Sequence, residues 1–130
     1  DVAGSSKYFL GSITAYSNKL KTDLLDVSVR TLETHGAVSE EVALEMAEGI
    51  RNNTHADIGI STTGISGPSG GSDTKPLGLV YIAVVTPAIS RVKKYILTLM
   101  KWSELPDRPM NELVGDMRSK LAEMRIAGQI

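Results

Sequence analysis

From Leu77 to Val85 the chain is apolar almost without a break, interrupted only by Gly78 and Tyr81, and Thr86 closes the run. It is far too short to cross a bilayer, which takes about 20 apolar residues. At strand length, continuous hydrophobicity marks a central strand covered on both faces, because a half-exposed strand would alternate. The flanking sequence supplies the cover. Ser12 to Tyr16 is β-branched and aromatic and reads as a strand. Ser17 and Asn18 are good caps for a helix running to about Leu25. A short helix from Ser28 to His35 should end on Gly36 as a left-handed cap. Ser39, followed by Glu40 and Glu41, opens another helix, whose Val42, Ala43, Met46, Ala47 and Ile50 recur at the spacing of a buried face. Asp57 to Thr62 and Arg91 to Leu99 read as strands, and Met110 to Met124 as a last helix.

Strands separated by helices predict an α/β fold, a three-layer α/β/α sandwich. The tight connection near Pro87 makes part of the sheet antiparallel, so the sheet is expected to be mixed. With 130 residues the chain is the size of one domain and is read here as a single domain, 1–130. Folding at that size buries roughly two-thirds of the unfolded chain's surface, so no metal or disulfide staple is needed. A net charge of −1 gives no basic field for nucleic acid or an acidic membrane. The sequence has no cysteine, which excludes thiolate catalysis and Cys-based zinc sites and suits a reducing, cytoplasmic setting. The opening Asp1-Val2-Ala3-Gly4, without Met, reads as that of a fragment or a processed product.

Three segments carry chemistry. Ser61 to Gly71, STTGISGPSGG, follows a strand and holds four glycines, which allow positive φ and let backbone amides converge on an anion. Loops at the carboxyl ends of sheet strands are where α/β proteins bind ligands. No Lys-Ser/Thr pair follows the glycines, so this is not a Walker loop, and the dinucleotide spacing is absent. A plain surface loop is the competing reading. The second segment, Ala15 to Lys21, places a phenol, a hydroxyl, an amide and an ammonium at a strand-to-helix junction. Lys21 can act as a general base only if its pKa falls from ~10.4 toward 7–8, a change worth roughly 4 kcal/mol against the charged form. Burial and a neighbouring cation can supply that; otherwise Lys21 is a solvated helix lysine. In the third segment, Gly4 to Phe9, Ser5 and Ser6 are candidates for nucleophile, oxyanion donor or helix cap. If Ser12 to Tyr16 is extended, Ser6 and Lys21 lie toward opposite ends of it. His35 is explained by the helix dipole and His55 stands alone, so no metal site is expected.

Together these segments resemble the CinA C-terminal family, the nicotinamide mononucleotide deamidases. The matching stretches are Asp1 to Lys21, His35 to Arg51 and Thr62 to Ala83, in the family's order and approximate spacing; beyond Thr86 the likeness is loose. The resemblance implies an amidohydrolase that converts nicotinamide mononucleotide to nicotinic acid mononucleotide and ammonia by Ser/Lys chemistry, with no cofactor or metal. Lys21 would be the base, Tyr16 a partner in the proton network and Ser6 a serine of the site. Thr63, Gly64, Gly67, Gly70 and Gly71 would border the phosphoribosyl group, with Asn18 and Arg108 as further substrate contacts. Pro106 stands where the family has a glycine ahead of the Asp-Arg pair. The resemblance further implies a homo-oligomer with a small-molecule nucleotide as its partner, and neither nucleic acid nor membrane. Family members carry a helix and a Glu-Ser-Cys-Thr-Gly-Gly segment ahead of the position of Asp1. That segment would supply a candidate nucleophile and a strand, and the sequence lacks it. An inactive nucleotide-binding or assembly domain is the alternative this leaves open.

Overall fold

The structure, a computed structural model, describes residues 4–67 and 70–97. All belong to the first of the two units into which the chain divides, Asp1–Leu99; the second, Met100–Ile130, lies outside the described residues and takes the expected helix at Met110 to Met124 and Arg108 with it. After a 3₁₀ turn at Ser5–Lys7 come the helices α1 (Asn18–Leu25), α2 (Val29–His35) and α3 (Glu40–Thr54). The strands β1 (Gly59–Gly64), β2 (Leu79–Val85) and β3 (Ser90–Ile96) follow. The order in the sheet is β1-β2-β3, with β2 central as its unbroken hydrophobicity requires. Both strand pairs are antiparallel: Ser61 lies opposite Ala83, and Ala83 opposite Val92. The fold class is α/β, and every strand pair among the described residues is antiparallel.

The helices form where their caps dictate. The Ser17 hydroxyl accepts from the Leu20 amide at 3.2 Å and opens α1. The Ser39 hydroxyl accepts from the Val42 amide at 3.3 Å and donates to the Gly36 carbonyl at 3.0 Å, joining the end of α2 to the start of α3. Ser28 precedes α2 but makes no side-chain cap. Glu45 on α3 takes over: its carboxylate accepts from the Ser28 amide at 2.8 Å, one of the orphan donors of the helix start, and from the Thr31 hydroxyl at 2.6 Å, setting a negative charge there.

Helix α3 holds two apolar clusters together. One side packs Val42 and Met46 against Leu25, Val27 and Leu32. The other packs Ala43 and Ala47 against Ala83 and Val85 of the sheet. Small residues let the layers close. A Cβ on Gly49 would stand 1.8 Å from the Leu25 carbonyl oxygen, and one on Gly59 would stand 2.0 Å from that of Ala47. Ile50, placed in the buried face by its spacing, is half-buried at the edge of the first cluster.

Three expectations change. Ser12 to Tyr16 is not a strand: its composition favours one, but no neighbouring backbone among the described residues completes a ladder, and a strand exists only as a paired object. Ile13 and Ala15 do turn inward onto the first cluster, two residues apart. Gly36 has φ 75° and ψ 163°, so its φ is positive as expected, but it is not the left-handed helical cap. The left-handed caps fall instead on Asp26 and His55, at φ 55° and 53°. Finally, α3 packs on one face of β2, while on the other Val84 is exposed and Val80 and Ile82 are half-buried.

Candidate functional site

Lys21 sits in the first turn and a half of α1, yet the residue is only 7% exposed. Its ammonium folds back over the chain that enters the helix. Nζ donates to the carbonyls of Ala15 at 2.9 Å and Tyr16 at 3.4 Å. Burial strips water from the charged form and lowers the Lys21 pKa. A neutral amine has two N–H donors and one lone pair. Two carbonyl acceptors are compatible with that form as well as with the ammonium, which has three donors. Lys19 is the contrast: it points outward on the same helix and pairs with Asp23 on the surface.

The other sequence-predicted residues are placed as follows. Tyr16 offers its carbonyl to Lys21 while its side chain stands in solvent, 94% exposed. Asn18 is exposed at the first position of α1, its carbonyl accepting from Thr22 Oγ1 at 3.3 Å. Ser6 is exposed in the 3₁₀ turn ahead of the segment that leads to Lys21. Among the described residues no hydrogen bond joins Ser6, or the Tyr16 hydroxyl, to the Lys21 amine. Thr63 is buried at the end of β1, and its hydroxyl donates to the Ala37 carbonyl at 2.7 Å. Ser61 does the same two residues earlier, reaching the Ala43 carbonyl. Ser61 thus ties β1 to α3, and Thr63 ties it to the connection between α2 and α3.

That loop is anchored at both ends. The Ile65 amide donates to the Leu79 carbonyl at 2.9 Å, and the Gly78 amide returns to the Ile65 carbonyl at 2.8 Å. Between the anchors Gly67 and Gly70 take φ of 83° and 96°, conformations that a side chain would strain. The closely packed glycines are Gly64, where a Cβ would meet the Leu79 carbonyl at 2.8 Å, and Gly71, where it would meet Leu77 at 3.0 Å. Ser66, Gly67, Gly70 and Gly71 are exposed, and their amides have no hydrogen-bond partner among the described residues.

Sequence reasoning missed Lys75, whose ammonium reaches from this loop to the His35 carbonyl at the end of α2. It also missed the acceptors of Lys21, having looked for a second cation. Backbone carbonyls are present at every position, so nothing in the sequence marks those of Ala15 and Tyr16. His35 pairs with Glu41, Nδ1 to Oε1 3.1 Å, while His55 serves as a helix cap. Among the described residues no three His, Asp or Glu side chains gather to hold a metal ion. No described helix is long and apolar enough to cross a membrane.

Comparisons with known proteins identify the family. The family model for the CinA C-terminal domain matches residues 1–101. A CinA-like protein of Desulforapulum autotrophicum is 53% identical over 95 residues, which cover 73% of this chain and 22% of the relative. A CinA-like protein of Acaryochloris marina is 49% identical over 124 residues, 88% of this chain and 30% of the relative. The chain thus spans under a third of the length of these curated relatives. The crystal structure of the competence/damage inducible protein CihA from Agrobacterium tumefaciens superposes with a TM-score of 0.58 at 35% identity, covering 87% of this chain and 64% of that one. The elements that carry the buried lysine and the glycine loop all fall within the matched span, and the chain belongs to the CinA C-terminal domain family.

Proposed function

We propose that the protein is an amidohydrolase that converts nicotinamide mononucleotide to nicotinic acid mononucleotide and ammonia. The observation that carries the reading is the buried amine of Lys21, desolvated and held by two carbonyls. An uncharged lysine can remove the proton from a serine hydroxyl, and the resulting alkoxide attacks the carboxamide carbon. The nitrogen then leaves as ammonia, taking the proton back from Lys21, and water hydrolyses the acyl-enzyme to the carboxylate. The unpartnered amides at Ser66, Gly67, Gly70 and Gly71 would take the phosphate end of the substrate. Ser6, Tyr16, Asn18 and Thr63 remain candidates for the surrounding contacts. The family's usual homo-oligomeric state belongs to the same proposal.

The test is ammonia release from nicotinamide mononucleotide by the full-length protein. Lys21→Ala is expected to lower kcat by at least the 10²–10⁴-fold ascribed to a positioned general base. Undiminished turnover would remove Lys21 from the mechanism. A second reading, nucleotide binding without catalysis, is favoured by one observation: no hydroxyl among the described residues is hydrogen-bonded to the Lys21 amine. Calorimetric binding of the mononucleotide beside a flat ammonia assay would select it.

A further inference from the structure

Three successive carbonyls at the junction of α2 and α3 each accept from a side chain of a different element. The His35 carbonyl takes the Lys75 ammonium, the Gly36 carbonyl the Ser39 hydroxyl at 3.0 Å, and the Ala37 carbonyl the Thr63 hydroxyl at 2.7 Å. Thr63 lies in β1 just before the glycine loop departs, and Lys75 lies where the loop returns toward β2. Both arms of the loop are thus fastened to one short stretch of chain. The Lys75 arm is built for the contact. Its base closes on itself: the Ser72 amide donates to the Lys75 carbonyl at 2.8 Å, and the Lys75 amide donates to the Ser72 hydroxyl at 3.1 Å. From this turn the Lys75 side chain passes Gly36, where a Cβ would stand 3.1 Å from Nζ. Its acceptor belongs to the last residue of α2, at the end of the helix that leaves carbonyls unpaired and favours a cation.

We propose that Lys75 is a positioning residue, holding the return arm of the loop, Gly70 and Gly71 included, in the shape that meets the phosphate end of a mononucleotide. The inference rests on the proposed function for the identity of the ligand; the clamp itself does not. Glycine loses more conformational freedom on ordering than any other residue, so an unheld arm with adjacent glycines spreads over many shapes. A ligand that fits only some of them binds more weakly by the fraction that is competent. Fixing the arm in advance removes that cost. The effect belongs to binding and not to chemistry, because among the described residues Lys75 bonds to neither Lys21 nor Ser6.

Two measurements on the full-length protein test the proposal. They use Lys75→Met, which keeps the side-chain bulk and removes the donor, and Lys75→Arg, which keeps a donor cation. The first is amide hydrogen exchange without ligand. Lys75→Met should speed exchange at Ser72 by about tenfold, the low end of what a hydrogen bond to a charged group contributes. The β2 amides should keep their rates, as they would not after a general loss of stability, and Lys75→Arg should restore most of the protection at Ser72. The second is steady-state ammonia release from nicotinamide mononucleotide, where Lys75→Met should raise KM by about the same factor and leave kcat unchanged, the mark of lost uniform binding. Unchanged exchange at Ser72 would overturn the positioning role; if KM rose all the same, Lys75 would touch the nucleotide itself. Faster exchange with an unchanged KM would break the link between clamp and ligand and overturn the proposal as well. If the unsubstituted protein releases no ammonia, the amidase reading alone fails, and the calorimetric Kd for the mononucleotide decides. A Kd weakened in Lys75→Met would support the clamp; no binding, or equally tight binding in both proteins, would overturn it.

Discussion

The amine of Lys21 has its tether in its own helix and its acceptors in the chain just before, so its hydrogen bonding is a local event. Its pKa lies below that of an unfolded lysine. Between the lowered value and the ordinary one, the unfolded chain binds more protons than the folded one, so stability rises with pH across that window. Below the window both states are protonated and the desolvation penalty is present in full; above it both are neutral and the penalty is gone. Urea unfolding at stepped alkaline pH should therefore show stability climbing in the parent and a flatter profile in Lys21→Met. An unchanged slope in the variant would assign the effect to other groups. Thr63 is a second residue whose role is set by one bond, the 2.7 Å contact to the Ala37 carbonyl. Thr63→Val keeps the shape, removes the donor and strands a carbonyl, for an expected loss of about 1–3 kcal/mol in denaturant unfolding. A loss within error would mean that water takes the hydroxyl's place.

At the scale of elements, the junction between α2 and α3 turns on Ser39, which caps one helix while donating to the last turn region of the other. Ser39→Ala should lower stability by about 1–2 kcal/mol, read as a drop in Tm, because it removes both bonds at a buried position. Ser39→Asp should recover part of that, since a carboxylate still accepts from the Val42 amide but cannot donate to Gly36. These caps were legible in the sequence: a hydroxyl followed by two glutamates marks a helix start because the signal is carried within four residues. The cap of α2 was not, because Glu45 comes from α3, and only folding brings it to Ser28. Residues 12–16 show the same limit from the other side. Their β propensity is real, but propensity supplies no partner backbone, and the described structure leaves them unladdered.

For the whole molecule, α3 is the shared wall of both apolar clusters, so damage to one should reach the other. Met46→Ala opens a cavity in the first cluster and is expected to cost about 2–5 kcal/mol. Helix loss by circular dichroism and exchange of the β2 amides should still report one common transition. Separate transitions would mean that the two clusters fold independently.

The sequence by itself determined the helix starts, the central place of β2, the antiparallel β2–β3 turn and the glycine loop, because each is written in neighbouring residues through spacing, capping or permitted φ. Even Lys21 could be named from its place in a recognisable run. Only the tertiary structure decided that Lys21 is desolvated, that Ser61 turns its hydroxyl onto α3 and Thr63 onto the Ala37 carbonyl ahead of it, and that β1 stands at the edge of the sheet among the described residues. Those outcomes depend on which surfaces meet across tens of residues, and burial is a property of the meeting rather than of either partner.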